Sequence, residues 1–306
     1  MQEEQKSVAF RNNLFFIGAL LVLLIAGVVN FGATVLAQAA VAVAVGASIE
    51  LVFQKVRDIK VDESVFVTPL LVTLMVPSIA PIWMVGVGSG FAVFFGRLIF
   101  GGENKTVFNA SLVGIMFLMI SFPQFMTTNW WDPLNSVETN MLPLLELHQG
   151  QDFTHSVSQM LLGHVPGWVG ETFIVGILVL GVVLAYLKVI DWRVPAAYIG
   201  FFFLLTALGF LLFPGTSDDP IFVNPLYSLI TGGVLFAAFF LATDKHGTPK
   251  HTKAVIFYGL GLALITIIIR TFAAFPDGYV FAIIIMNAVA PLLDSFFEQD
   301  QKEVAA

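Results

Sequence analysis

The residues of this chain best able to do chemistry are acidic, and they sit where acid is costly. Glu50, Glu171, Asp244 and Asp294 fall within or at the ends of long apolar runs, and Arg270 lies inside one. An ionisable group at membrane depth is expensive to bury, so each is a candidate for ion or proton handling by default. The plainer reading is a charge that snorkels to the interface or serves a helix end. Glu171 suits the latter, since a carboxylate that opens a helix is favoured by the helix dipole. In the threading given below, Glu50, Asp244 and Asp294 share one side. Three carboxylates there would suit a cation path, through hard oxygen ligands or a proton relay.

Other constellations say less. His148, His155 and His164 accompany Glu146 and Asp152 in one polar stretch, but the spacing is not that of a zinc motif and the chain has no Cys. Solvated loop residues are the better reading, and no metal site or catalytic residue is assigned. Gly101-Gly102 leads through Lys105 and Thr106 to Asn109 at the start of an apolar run. A turn before a helix N-terminus can hold a polar or anionic ligand group, although an ordinary tight loop has the same composition.

The elements that position these residues are membrane helices. Hydrophobic residues make up 58% of the 306 and charged residues 11%, against roughly 25% charged in a soluble domain. Apolar runs of about 17 to 22 residues are long enough to cross the ~30 Å hydrocarbon core as helices, whereas barrel strands alternate over ~10 residues. The fold class is therefore an all-α polytopic membrane protein, with one transmembrane domain over 1–306. The absence of Cys excludes disulfides and iron–sulfur ligation by this chain. The net charge of −7 comes with no basic patch that would suit nucleic acid. Ala37-Gln38-Ala39 offers a small-x-small cleavage signal, but the first run is read as a retained anchor.

Spans are expected at about 14–31, 34–53, 65–79, 82–99, 107–122, 170–187, 194–213, 221–241, 254–271 and 278–296. No Lys or Arg occurs between Lys105 and Lys188, which places the loop at about 123–169 outside. Ten helices with both termini cytoplasmic then put Lys6, Arg11, Lys55, Arg57, Lys60, Arg97, Lys105, Lys188, Arg193, Lys245, Lys250, Lys253 and Lys302 inside, 13 of the 14 basic residues. Arg270 is the exception. Trp130, Trp131 and Trp168 fall where an outer interfacial belt would hold them, and most of the 31 Phe are lipid-facing or packing surface. Phe66-Val67-Thr68-Pro69-Leu70 is echoed by Phe222-Val223-Asn224-Pro225-Leu226, and Phe108-Asn109-Ala110 by Met286-Asn287-Ala288. Five spans separate the members of each pair. An odd offset inverts the second copy, so the expected plan is a 5+5 inverted repeat, about 14–122 and 170–296, with its site between the halves near the midplane.

Gly101-Gly102 with Phe108-Asn109-Ala110 resembles the GGxGxNxFNPA signature of the RnfD/NqrB family. Ile120-Ser121-Phe122-Pro123 with Met126-Thr127 is similar to that family's ISFPxxMT segment. The likeness continues through Gly46 and Glu50, Val165-Pro166-Gly167 with Gly170-Glu171, and Ala242-Thr243-Asp244. It runs on through Ile269-Arg270-Thr271-Phe272, Phe275-Pro276-Asp277-Gly278 and Asn287-Ala288 to Ala290-Pro291-Leu292-Leu293-Asp294. It covers nearly the whole chain, and the short N-terminus and ISFP segment favour the RnfD side.

The resemblance implies a flavin-carrying membrane subunit of an Rnf or Na⁺-translocating NADH:quinone reductase complex. Such a subunit lies in a bacterial or archaeal cytoplasmic (inner) membrane among other membrane and outer-face subunits. It passes electrons through flavin, coupled to Na⁺ or H⁺ movement. It also implies FMN esterified to a Thr of an outer loop, within S/T-x-A-T, and a riboflavin held in the membrane. Here two registers are open. Aligning on Ser136 makes Thr139 the acceptor; aligning on Pro143-Leu144 puts Leu142 there, which has no hydroxyl. The small residues before the acceptor are missing in either register, which counts against a covalent FMN, and the register that ends on Leu142 is the one expected. Gly101, Gly102, Thr106 and Asn109 are the remaining cofactor-binding candidates. Two other classes compete: a flavin-free channel or transporter of the urea-transporter kind, and a structural subunit whose flavin sites have decayed.

Overall fold

The computed structural model describes residues 2–58, 63–102, 105–150, 154–213, 222–273 and 277–304. Lys60, Asp152, Phe275 and Pro276 lie outside these. In chain order, α1 (Gln2–Phe31) and α2 (Thr34–Val56) form a hairpin. A 3-10 turn, Glu63–Phe66, opens the short α3 (Val67–Leu74); after an irregular stretch, α4 (Ile82–Val93) runs on into a wide π turn, Phe94–Leu98. α5 (Ala110–Ser121) and the single turn α6 (Pro123–Met126) lead into a connecting segment. That segment holds the antiparallel pair β1 (Trp130–Asp132) and β2 (Val137–Thr139), then α7 (Pro143–His148) and α8 (Val157–Leu162). There follow α9 (Ile174–Tyr186), α10 (Arg193–Leu212), the short α11 (Pro225–Ile230) and α12 (Val234–Phe236) with its own π turn, Ala237–Leu241. α13 (Thr252–Phe272) and α14 (Tyr279–Val304) complete the chain.

Among the described residues five helices are long and apolar enough to cross a membrane: Ser7–Phe31, Thr34–Val56, Arg193–Leu212, Thr252–Phe272 and Tyr279–Glu298. Glu63–Leu74, Ile82–Leu98, Ala110–Ser121 and Ile174–Tyr186 are apolar but shorter. At ~1.5 Å per residue, α5 rises only about 18 Å, well short of a ~30 Å core. The expected third span, 65–79, is helical only as far as Leu74, and the expected eighth is interrupted between Ile230 and Val234. Both echoed segments, Phe66–Leu70 and Phe222–Leu226, open a short helix that leads into such a break.

Irregular backbone inside an apolar body survives only where protein satisfies it. For the first break, residues 75–81, the donor is Gln38 of α2. Its Nε2 donates to the carbonyls of Pro77, Ser78 and Ala80 at 3.2, 3.1 and 2.8 Å. The far side is closed by backbone from the end of the connecting segment: Gly170 N–H donates to Leu74 O at 2.7 Å and Val169 N–H to Val76 O at 3.3 Å. A Cβ at Gly170 would lie 3.0 Å from that Leu74 oxygen, so only glycine allows the approach. One buried apolar cluster, from Ala19 through Leu74, Trp168 and Phe240 to Ala290, runs through both halves of the chain.

Candidate functional site

The second break is satisfied differently. Asp277, just before α14, accepts the Gly233 N–H on Oδ2 at 2.5 Å. Its Oδ1 takes Nε and Nη2 of Arg270 at 3.1 and 2.8 Å. Arg270 also donates from Nη1 to Ser228 O at 2.8 Å, and its guanidinium lies 5.2 Å from the centroid of the Phe202 ring. Both ions are 8% exposed. Charges so buried persist only when paired and hydrogen-bonded, which is the case here. The Arg270 that stood alone in the sequence thus has its counter-ion seven residues on. Next to them Glu171, just ahead of α9, accepts the Tyr279 hydroxyl.

A small cleft of about 50 Å³ opens at this point, between the connecting segment and the second break. Trp130, Leu142 and Trp168 supply apolar wall; Glu171, Thr231 and Asp277 supply polar rim. Trp168 is held by donating its indole N–H to Met126 O at 3.2 Å. A smaller hollow of about 10 Å³ includes His148, Thr206 and Arg270 in its lining. The Arg270–Asp277 pair stands as the partition between the two.

The connecting segment that roofs the cleft corrects two expectations. Trp130 and Trp168 are 1% and 5% exposed, so they are core of this roof and not an interfacial belt. His155 and Glu146 are buried, not solvated. Nε2 of His155 lies 3.2 Å from Asp132 Oδ2, and Glu146 accepts the Thr154 hydroxyl at 2.5 Å. The reason is that a folded cover must satisfy its own turns, and its polar residues do so. Burial opposes ionisation of Asp132, but hydrogen bonds from Asn135, His155 and the Leu134 N–H outweigh it and hold the carboxyl below its usual range. Burial, then the Arg270 charge, pushes the His148 imidazole down.

The other site residues named from sequence lie away from the cleft. Glu50 is 1% exposed on α2 and ion-paired with Arg97 of the first π turn at 3.1 Å; Arg97 also donates to Ser64 O at 3.2 Å. Asp244 accepts the His246 N–H at 3.2 Å in the turn after the second π turn. Burial pushes its carboxyl up, partly offset by that N–H and by the charges of His246, Arg97 and Lys245. Asp294 accepts the Lys250 and His251 N–H groups at 3.0 Å, ahead of α13. Among the described residues no three His, Asp or Glu side chains gather as a metal set. Gly101 and Gly102, with φ of +103° and +101°, close the end of the first π turn, and Thr106 is half-buried beyond them. Asn109 caps α5 by accepting the Ser111 N–H at 3.1 Å and reaches across to Leu241 O at 3.1 Å. With its amide turned to satisfy both ends, Asn287 accepts the Asn109 N–H at 3.0 Å. The two echoed asparagines therefore meet between the halves.

For an ester-linked FMN the residues do not fit. Thr139 ends β2 with its Oγ1 accepting the Met141 N–H at 3.1 Å, and it does not line the cleft. Leu142 does, and has no hydroxyl. Two indoles, those of Trp130 and Trp168, form part of the cleft's apolar wall. Sequence reasoning missed Gln38, Asp277 and Tyr279. For Asp277 a signal existed: a lone basic residue in an apolar run requires a counter-charge within reach.

Comparison with known proteins agrees with the resemblance. The family described as NQR2, RnfD, RnfE matches residues 3–303. The D subunit of the Na(+)-translocating ferredoxin:NAD(+) oxidoreductase complex of Acetobacterium woodii is 35% identical over 285 residues, covering 90% of this chain and 85% of that one. The D subunit of the proton-translocating ferredoxin:NAD(+) oxidoreductase complex of Clostridium ljungdahlii is 33% identical, over 88% and 84%. The B subunit of the Na(+)-translocating NADH-quinone reductase of Pseudomonas aeruginosa is 32% identical, over 83% and 64%.

Proposed function

The chain belongs to the NQR2, RnfD, RnfE family, and from that premise we propose that it is the D-like membrane subunit of an ion-translocating oxidoreductase, passing electrons through flavin coupled to Na⁺ or H⁺ movement. The observation that supports a redox ligand in this chain is the indole-walled cleft where the connecting segment meets the second break. A flavin there would supply reversible uptake of electrons and protons. Around it, Trp130 and Trp168 would bound the ring plane, and Glu171 and Thr231 would meet its polar edge. The roof formed by the connecting segment would limit access of water.

In this reading the chain passes the membrane ten times as a 5+5 inverted repeat, the short helices pairing with the two breaks to complete their passes. The connecting segment faces outward and both termini face the cytoplasm. Glu50, Asp244 and Asp294 then lie on the inner side. Of these, Glu50 has its charge offset by Arg97, whereas Asp244 and Asp294 bond backbone N–H groups. The last two are thus the stronger candidates for an ion path. The whole complex, purified from its own membrane, is expected to yield this chain with absorbance near 450 nm that is released on denaturation. A chain without such absorbance would overturn the redox role and leave the channel or structural-subunit reading.

A further inference from the structure

We infer that Glu171 carries a proton and exchanges it with water of the cleft, so that the second break holds one permanently ionised carboxylate, Asp277, and one that loads and releases a proton. The inference stands on residues of this chain alone and holds with or without a flavin. Two carboxylates converge on one short stretch of backbone. Asp277 Oδ2 accepts the Gly233 N–H at 2.5 Å, and Glu171 Oε1 stands so near that a Cβ at Gly233 would collide with it. A Cβ at Gly232 would collide with Asp277 Oδ2 and Arg270 Nη2. Glycine at both positions is what lets these groups close on the break.

A single cation serves both acids. Arg270 places Nε and Nη2 on Asp277 Oδ1 and Nη1 on Ser228 O, and the connecting segment brings no second one, since no Lys or Arg occurs between Lys105 and Lys188. The groups that face Glu171 are Asp277 ahead of α14, Tyr279 at the start of α14 and Arg270 on α13. Burial and the charge of Asp277 oppose a negative charge on Glu171, while the Tyr279 hydroxyl and Arg270 favour it. His148 of α7, within reach of Arg270, adds no charge, because burial and that guanidinium push its imidazole down. With Arg270 committed to Asp277, a proton on Glu171 is what makes the group neutral as a whole.

The atoms also give the proton its place. Oε1 accepts the Tyr279 hydroxyl, which leaves Oε2 to carry the proton. The Tyr279 ring is buried and packs edge-on to Trp168, with centroids 6.1 Å apart, so that hydroxyl is fixed in position. Glu171 itself is half-buried and lines the cleft. At about 50 Å³ the cleft has room for a few water molecules. Thr231 and Thr172 of the same lining donate their hydroxyl hydrogens to Tyr227 O at 2.8 Å and Val169 O at 3.5 Å, so their oxygens face the cleft as acceptors for water. On release, the proton on Oε2 passes to such a water as hydronium and leaves the carboxylate behind; uptake is the reverse.

The test is infrared spectroscopy of the whole complex in lipid, with wild-type chain and with variants. At neutral pH the wild type is expected to show the C=O stretch of a protonated carboxyl that is missing from Glu171→Gln, a variant that keeps an oxygen for the Tyr279 hydroxyl. Replacing H2O by D2O is expected to shift that band at once. Asp277→Asn leaves Arg270 to Glu171 alone, so the Glu171 band is expected to be lost at neutral pH in that variant. A wild-type spectrum identical to that of Glu171→Gln in the carboxyl region would overturn the inference. So would a Glu171 band that ignores D2O, the mark of a sealed structural carboxyl, or one that persists in Asp277→Asn. Should Asp277→Asn fail to assemble, the comparison of wild type with Glu171→Gln decides alone. Absorbance near 450 nm tests the flavin reading separately, so either can fail without the other.

Discussion

The two breaks in the helices meet one physical demand in opposite ways. At 75–81 the exposed carbonyls are taken by the neutral amide of Gln38 and by the backbone of Val169 and Gly170, and Leu74, Met75 and Val76 around them are fully buried. At 231–233 the partners are ions, Arg270 and Asp277, with Glu171 beside them, and a cleft opens there. Neutral partners suffice to satisfy a backbone. Charged ones cost several kcal/mol each to bury, so each must be paired and hydrogen-bonded, as Arg270 and Asp277 are. The first break is closed by neutral groups and the second by ions beside a cleft.

The sharpest way to break that contrast is to remove the ions. Arg270→Met strands Asp277 and is expected to cost ~3–5 kcal/mol, read as a fall in the detergent unfolding midpoint or as failure to assemble. Arg270→Met combined with Asp277→Leu is expected to recover much of the stability without restoring electron transfer. Recovery of both would make the second break as structural as the first. Gln38→Leu comes next, at ~1–3 kcal/mol, since it leaves three carbonyls in an apolar setting; flavin content in surviving protein is expected to stay unchanged. The smallest effects belong to the caps. Asn109→Ala is expected to cost ~1–2 kcal/mol, because Asn109 is buried and also bonds Leu241 O across the halves. Asn224→Ala removes only the local bond to the Leu226 N–H and is expected to cost about half as much. Equal losses would mean that the Asn109 link between the halves adds nothing.

Much of this was legible in advance because it is local. Apolar runs announced the long helices, and the echoed Phe-Val-x-Pro-Leu segments open the two helices that precede the breaks. The isolated Arg270 called for a counter-charge, and Asp277 supplies it. What escaped was set by encounters between distant parts of the chain. Gln38 lies in a stretch that reads as a cleavage signal, and nothing near it in sequence says that it will meet Pro77, Ser78 and Ala80. Nothing near Glu50 in sequence announces that Arg97 will pair with it. Trp130 and Trp168 read as an interfacial belt because hydropathy cannot tell a lipid surface from the core of a small folded cover. His155 and Glu146 were misread for the same reason.

The joint at 75–81 also imposes an order of assembly. Gln38 is made before the carbonyls it donates to, so part of the break is satisfied as soon as it emerges. Leu74 O and Val76 O must wait for Val169 and Gly170, a delay on the order of ten seconds at roughly 5–20 residues per second. During that interval the first half sits in the membrane as an open latch, and the later half, as it inserts, is what shuts it.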